Sequence, residues 1–431
     1  MMTFKMCLVL FSLFTIQGLA QTKYKNIRID MQDSGLFSYP PCEPSIAINP
    51  KNVANIVAGA ILNRVYLSND TGRTWMESEL NSSMGVYGDP CIVSSNKGYF
   101  YYLHLSDPNG QGWASDRLLD RIVCQWSKNG GKSWSNGGGM GENHPKDQDK
   151  EWAVCNESGK SIYATWTQFD LYESKNPADQ TNILFSHSNC KAKKWKAAKR
   201  INEKPGDCLD DDNTVEGAIP ASGPNGEIYV SWALGDTIYF DRSLDGGKTW
   251  LDKDVRAARI AGGWAQTIPG IMRCNGMPVL TCDLSNGANR GNLYICWSDT
   301  RNGEDNTDIF FISSSDGGNT WTPERKLNED TGAKQQFFPW MAIDQTNGNL
   351  YVVYYDRRAY SDIKTDVYLA SSKDGGKTWT EEKISESPFS PDPAVFFGDY
   401  NNISAHNGIV RPIWTRCENS KLSVWTALIG K

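Results

Sequence analysis

An all-β ring of seven four-stranded sheets, a β-propeller, is the fold that this 431-residue sequence predicts, and three observations predict it. The pattern S-x-D/N-x-G-x-T/S-W occurs five times, at residues 68–75, 127–134, 243–250, 314–321 and 372–379, and a worn sixth copy at 186–195 keeps only its ends. The tryptophans that close the copies stand roughly 55 to 70 residues apart, the length of a four-stranded repeat. Between copies one order recurs: an acidic or aromatic residue, an apolar strand, a Gly/Asn turn, a β-rich strand, a loop, and the strand that enters the motif. No long stretch carries helical periodicity.

In chain order, residues 1–20 read as a secretory leader: a lysine near the front, an apolar run from Cys7 to Phe14, and the small-residue exit Gly18-Leu19-Ala20. The run is too short to span a bilayer and no second apolar run follows it, so residues 21–431 are expected to be exported as a single domain with no membrane span. The second strand of each repeat is read at 55–60, 99–105, 161–167, 227–233, 292–298 and 349–355, rich in Tyr, Ile, Val and Trp. Hairpin turns such as Asn96-Lys97-Gly98, Pro224-Asn225-Gly226 and Asn347-Gly348 precede several of them. After the last motif the order begins once more at Gly398-Asp399-Tyr400, and the chain ends one strand short. Residues 24–30 (YKNIRID) resemble the outer strands 199–202 and 325–328. The N-terminal strand is therefore expected to complete the last blade, against 422–428, which makes seven blades rather than six and removes an exposed edge.

Each motif is a self-contained turn in which the Asp accepts backbone N–H bonds, the glycines take φ > 0 and the Trp packs beneath. These motifs resemble the Asp boxes of the sialidase-like superfamily of BNR-repeat propellers, over nearly the whole chain. The resemblance implies the fold but not the activity, because the boxes lie in turns on the face opposite the loops that form such sites. Sialidases open their first blade with F/Y-R-I-P, whose arginine grips the substrate carboxylate. Here that place reads Tyr39-Pro40-Pro41-Cys42-Glu43-Pro44, an acid where the arginine belongs, and Arg28-Ile29 is a poor substitute. Two stretches are closer: Gly398-Asp399-Tyr400 with Asn407-Gly408 resembles that of the sialidase nucleophilic Tyr, and Glu216-Gly217 with Asn225-Gly226 that of its Glu partner.

Residues that open first strands and close second strands should converge on one face at the axis. The first set is Glu43, Asp89, Glu151, Glu216, Trp340 and Asp399, so most blades present a carboxylate, and crowded carboxylates raise one another's pKa or share a cation. Tyr400, directly after an acid, is expected to be catalytic, with Glu216 accepting its proton and Asp89 or Glu43 as opposing acid. The second set, Asp299-Thr300-Arg301, Asp356-Arg357-Arg358 and Thr415-Arg416, offers Arg301, Arg358 and Arg416 to an anionic sugar, or else structural pairs with acids such as Asp308 and Asp366. Trp152, Trp166, Trp232, Trp297, Trp340 and Tyr400 could stack on sugars, and His104 is expected beside the funnel. Asp207, Asp210, Asp211 and Asp212 crowd one loop with oxygen ligands that suit calcium, though without EF-hand spacing; no cofactor is required.

A net charge of −6 without a basic stripe argues against nucleic acid as partner. Eleven cysteines, Cys7 in the leader among them, permit disulfides but have no CxxC spacing. Two classes of function remain: an exported monomeric hydrolase or lyase acting on an anionic carbohydrate or glycoconjugate, and a non-catalytic propeller that binds glycan or protein. A concave funnel favours the first and a plugged face the second.

Overall fold

The computed structural model describes residues 23–31 and 39–430; the leader expected at 1–20 lies outside them. Seven four-stranded antiparallel sheets follow one another around an axis. From inner to outer strand, blade 1 is Ser45–Ile48, Ile56–Ala60, Arg64–Ser68 and Met76–Glu79; blade 2 is Cys91–Ser94, Phe100–Leu105, Ile122–Ser127 and Gly138–Met140. Blade 3 is Asp147–Cys155, Ser161–Phe169, Thr181–Asn189 and Lys199–Arg200; blade 4 is Glu216–Ser222, Ile228–Leu234, Thr237–Ser243 and Val255–Arg259. Blade 5 is Val279–Cys282, Leu293–Asp299, Asp308–Ser314 and Arg325–Lys326; blade 6 is Gln336–Asp344, Asn349–Asp356, Asp366–Ser372 and Thr380–Lys383. Blade 7 is Asn402–His406, Ile409–Glu418 and Lys421–Ala427, with Asn26–Arg28 as its outer strand. Each inner strand packs on the next, and the seventh returns to the first, so the ring is closed.

The N-terminal strand closes the last blade as expected. Asn26 faces Ala427, Ile27 faces Thr426 and Arg28 faces Trp425, and the ladder extends through Ile29 N–H to Val424 O (2.9 Å) and Leu428 N–H to Lys25 O (2.9 Å). Asn26 also ties the strand to blade 6: its amide donates to Ile384 O (2.8 Å) and accepts from Glu386 N–H (2.8 Å).

The repeated turns lie between third and fourth strands, on the face away from the starts of the inner strands. In the copy at 372–379, Asp374 accepts from Lys377 N–H (2.9 Å), Thr378 N–H (3.0 Å), Thr378 Oγ1 (2.6 Å) and Ser372 Oγ (2.8 Å), and Asp70, Asp245 and Asp316 repeat the set closely. The turns also lock neighbouring blades. Gly376 (φ 78°) sits where a Cβ would lie 2.4 Å from Phe311 of the preceding blade, and Trp379 packs edge-on against the same ring at 5.3 Å. The same pairing joins Gly247 and Trp250 to Phe185. The worn copy keeps its anchor, with Trp195 Nε1 donating to Ala192 O (3.2 Å).

Trp166, Trp232, Trp297 and Trp414, at matching places on second strands, are fully buried between blades and form core instead of the sugar platforms expected of the first three. All ten described cysteines are free thiols. Among the described residues, no helix is long and apolar enough to cross a membrane.

Candidate functional site at the propeller axis

Four inner strands begin with a backbone kink that aims a side chain at the axis. Glu43 (φ 53°), Asp89 (φ 48°), Lys150 (φ 54°) and Phe338 (φ 49°) occupy the left-handed region, sparsely used by non-glycine residues; Gly217 and Gly398 do the same in blades 4 and 7. In blades 3, 4 and 6 the register slips there, between Asp149 and Trp152, Glu216 and Ile219, and Phe337 and Trp340. These are bulges, which re-aim side chains beside functional sites.

The result is a buried cluster of acids around two cations. Lys150 Nζ donates to Asp399 Oδ2 at 2.7 Å, both side chains almost fully enclosed. Arg273 grips the same carboxylate, through Nε to Oδ1 at 2.8 Å and through Nη2 to Oδ2, and extends Nη1 to Asp210 Oδ2 at 3.0 Å. Tyr172 donates to that Asp210 oxygen (2.6 Å), and Asn275 donates to Asp399 O (2.9 Å). Beneath lie three rings, Trp152 against Trp340 at 4.3 Å and Tyr400 edge-on to Trp152 at 4.9 Å. They separate the cluster from an axial tunnel of about 460 Å³ on the other face, lined by inner strands.

The acids do not share one charge state. Burial, then the neighbouring Asp89 and Asp399, pushes Glu43 well above the usual carboxylate range; burial and Asp89 do the same to Glu151, and burial and Asp210 to Glu216. Burial raises Asp149 to about 8 although Lys150 opposes it. Asp399 is buried too, yet Arg273 and Lys150 outweigh the desolvation and hold it at about 2. Tyr400 is raised well above an ordinary phenol by burial and by the acids Asp89, Glu43 and Glu151. Its hydroxyl, Asp89 Oδ2 and both carboxyl oxygens of Glu151 and of Glu216 are buried without hydrogen-bond partners. Buried polar atoms of this kind call for an ordered water, an ion, a ligand or a catalytic role to satisfy them.

Glu43, Asp89, Glu151, Glu216, Asp399, Trp340 and Tyr400 thus meet at the axis as expected, with two corrections. Asp89, Glu43 and Glu151 press on Tyr400, but burial favours the protonated forms of Glu43 and Glu151, so Asp89 stands in for Glu216 as the neighbour able to take its proton; Glu216 is pressed by Asp210 and Asp149. Asp399 is no free substrate ligand, being engaged by Lys150 and Arg273. The arginines of the second set are not at the site. Arg301 is held by Asp299 (Nε to Oδ1, 2.9 Å) and Glu324, Arg358 by Asp356 (2.8 Å) and Glu381 (3.0 Å), and Arg416 by Glu418 (2.8 Å) and Ser387 O (2.8 Å). Each partner lies on the arginine's own strand end or the neighbouring strand or loop, and Asp308 and Asp366 bond elsewhere, to Asn328 and to Ser385. His104 is sealed beside Tyr102 in the seam toward blade 1; its Nδ1 meets Leu105 O at 2.7 Å, and burial lowers its pKa to about 4. The carboxylates expected to hold calcium serve the chain itself: Asp207 accepts from Thr214 Oγ1 (2.9 Å), Asp211 from Asp212 N–H (2.8 Å), Asp212 from Ala265 N–H (2.8 Å), and Asp210 from Tyr172 and Arg273. Among the described residues no group of three or more His, Cys, Asp or Glu is arranged to hold a metal ion.

Lys150 and Arg273 escape the sequence reading. Lys150 lies between two acids at the repeat position that Glu43 and Asp89 occupy, so aligning the repeats by this kink would have found it. Arg273 belongs to no repeat. It sits on a strap, residues 260–278, that links blades 4 and 5 and folds over the axis with a ribbon of its own, Ala265–Gln266 against Cys274–Asn275. Buried Arg357 of blade 6 donates to Pro269 O (2.7 Å), Gln266 Nε2 donates to Ser298 O (2.5 Å), and Asp212 holds Ala265, so the strap is fastened from three sides. It leaves a crevice of about 50 Å³ at Lys150, Asp210, Arg273 and Asp399.

The family model of the BNR repeat-like domain matches residues 160–407. No curated protein matches the sequence. Among solved structures, an ulvan lyase of polysaccharide lyase family PL25 is similar at 13% identity over 91% of this chain and 94% of that one, with a TM-score of 0.55, and 0.54 for its form bound to -[GlcA(1-4)Rha3S]-. The NanB sialidase of Streptococcus pneumoniae is similar at 9% identity over 87% of this chain and 83% of that one, with a TM-score of 0.53. At these identities the likeness is one of fold.

Proposed function

Because the chain belongs to the BNR repeat-like domain family, we propose that it is an exported glycan-cleaving propeller, a hydrolase or lyase of anionic sugars, with its catalytic centre at the axis. The observation that carries this reading is the enclosed set of unpartnered oxygens on Tyr400, Asp89, Glu151 and Glu216. Burial pushes Glu43, Glu151 and Glu216 well above the usual carboxylate range and so favours their protonated forms, in which each can supply the proton that a departing glycosidic oxygen needs. The Tyr400 hydroxyl can pass its proton to Asp89 as the oxygen attacks the anomeric carbon; in a lyase the same pair takes the proton beside a uronate carboxylate. An anionic substituent would meet Arg273. The uronate-containing glycan bound by the fold-related ulvan lyase supports the same substrate class.

The crevice favours a second reading. Ligand pockets commonly measure about 300–1,000 Å³, so about 50 Å³ admits water and no sugar ring. Unless the strap lifts, the protein is a non-catalytic glycan-binding propeller. The test is a panel of anionic and neutral polysaccharides, read by new reducing ends and by ultraviolet absorbance of unsaturated uronate. Cleavage of an anionic glycan by the wild type and its loss in Tyr400→Phe is the expected result. No cleavage of any member leaves only the binding reading.

A further inference from the structure

Among the described residues eight large apolar side chains are exposed, and Trp113, Leu171, Leu209 and Met272 lie on loops of the axial face. Trp113 stands out, with two-thirds of its surface open (67%). It is carried on a short turn, Gly112–Ala114, pinned from below by the Asp107 carboxylate, which accepts from Gly112 N–H at 2.8 Å. Its ring leans on Tyr172 at 5.6 Å and stands edge-on to Tyr87 at 6.5 Å, so it is held firmly although exposed. Tyr172 leads inward through Asp210 to Arg273 and so to Asp399. Arg273 is 43% exposed, and only three of its five N–H donors are engaged, those to Asp399 and Asp210. The other two donors make no hydrogen bond among the described residues.

We propose that Trp113, with Tyr172 beneath it and Arg273 at its inner end, is a sugar-binding platform on which a polysaccharide strand lies, a pyranose face on the indole and an anionic substituent on the free guanidinium donors. An exposed aromatic plane at one end and a partly free guanidinium at the other, joined through Tyr172 and Asp210, match a strand whose rings present C–H bonds on one face and carry carboxylate or sulfate at their edges. A bare apolar protein contact would leave those two donors without acceptors. The platform deepens the glycan reading and needs no catalysis, since Trp113 lies outside the closed crevice and Arg273 is reached at its mouth.

Electrophoresis of the native protein through gels containing polygalacturonate, alginate or chondroitin sulfate, with neutral arabinan as the control, tests the platform. The wild type should be retarded in at least one anionic gel and not in arabinan. Trp113→Ala should weaken that retardation about five- to tenfold in apparent Kd, and Trp113→Phe should restore a good part of it. Tyr400→Phe should migrate as the wild type, so loss of cleavage and loss of retention stand or fall separately. Equal retardation of Trp113→Ala and wild type, equal retardation in arabinan, or no retardation in any anionic gel would each overturn the platform.

Discussion

Replacing Asp399 by Asn is the sharpest probe of the axial cluster. The amide keeps the shape and one acceptor but removes the single carboxylate that faces both Lys150 and Arg273. Arg273 retains Asp210, but Lys150 is left with its ammonium almost fully buried and no ion pair. Removing one partner of a buried pair typically costs about 3–5 kcal/mol. The lower end applies here, because Asp149 stands next to Lys150 and can release its proton, about 8 as it stands, to compensate. Unfolding about 400 residues at ~2.1 cal/mol/K each gives an entropy of about 0.8 kcal/mol/K, so ~3 kcal/mol lowers Tm by about 4 °C. Calorimetry of Asp399→Asn, Lys150→Met and the double variant reads this directly. The double variant should lose less than the sum of the singles, since the stranded ammonium is gone. A shift of less than about 1 °C in Asp399→Asn, or strict additivity, would refute the charge balance drawn here.

Three other outcomes follow from the same geometry. The folded chain holds a proton on Asp149 up to about pH 8 that the unfolded chain has released from about pH 4, and the raised Glu43, Glu151 and Glu216 act in the same direction, so stability should fall as pH rises above about 4; Asp399, held at about 2, stabilises above pH ~4 and loses its contribution as pH falls toward 2. Urea midpoints should therefore peak in mild acid, and a midpoint that climbs steadily from pH 5 to 8 would contradict the assignment. Asp374→Ala removes four hydrogen bonds from a turn on the far face and should cost about 1–2 kcal/mol by denaturant titration while leaving glycan retention unchanged. Asn26→Ala cuts the two bonds that its amide makes to blade 6 and should cost about 2 kcal/mol; an unchanged midpoint would mean that this amide does not fasten the strand.

The fold was legible because its signals are local and repeated. Each turn writes its own hydrogen bonds into an eight-residue pattern, and the seventh blade showed itself through a missing strand that residues 24–30 could supply. The axial acids were legible for the same reason, since inner strands open alike. What the repeat does not govern stayed hidden. Arg273 acts from a strap that has no counterpart in other blades, and Trp113 rides on a loop between second and third strands whose length varies freely. Arg301 and Arg358 misled because Asp-x-Arg at a strand end resembles a ligand-binding signature, whereas the spacing brings each guanidinium back onto its own Asp two residues earlier.

The strap itself follows from electrostatics at the axis. Blades that each aim an acid at one point would repel, and only two escapes are available, proton retention and a cation. The repeat supplies one cation, Lys150, by substitution at a position where other blades carry Glu43 and Asp89. It supplies no second, and Arg273 arrives from outside the repeat on the same segment that covers the site. Closure and charge balance are therefore one event: lifting the strap withdraws Arg273 from Asp399 and exposes the acids together. A ligand with its own anion, arriving at the free donors of Arg273, competes with Asp399 and Asp210 for the guanidinium and weakens the fastening it meets. A neutral sugar has no such lever. On this ground an anionic ligand loosens the strap where a neutral one does not.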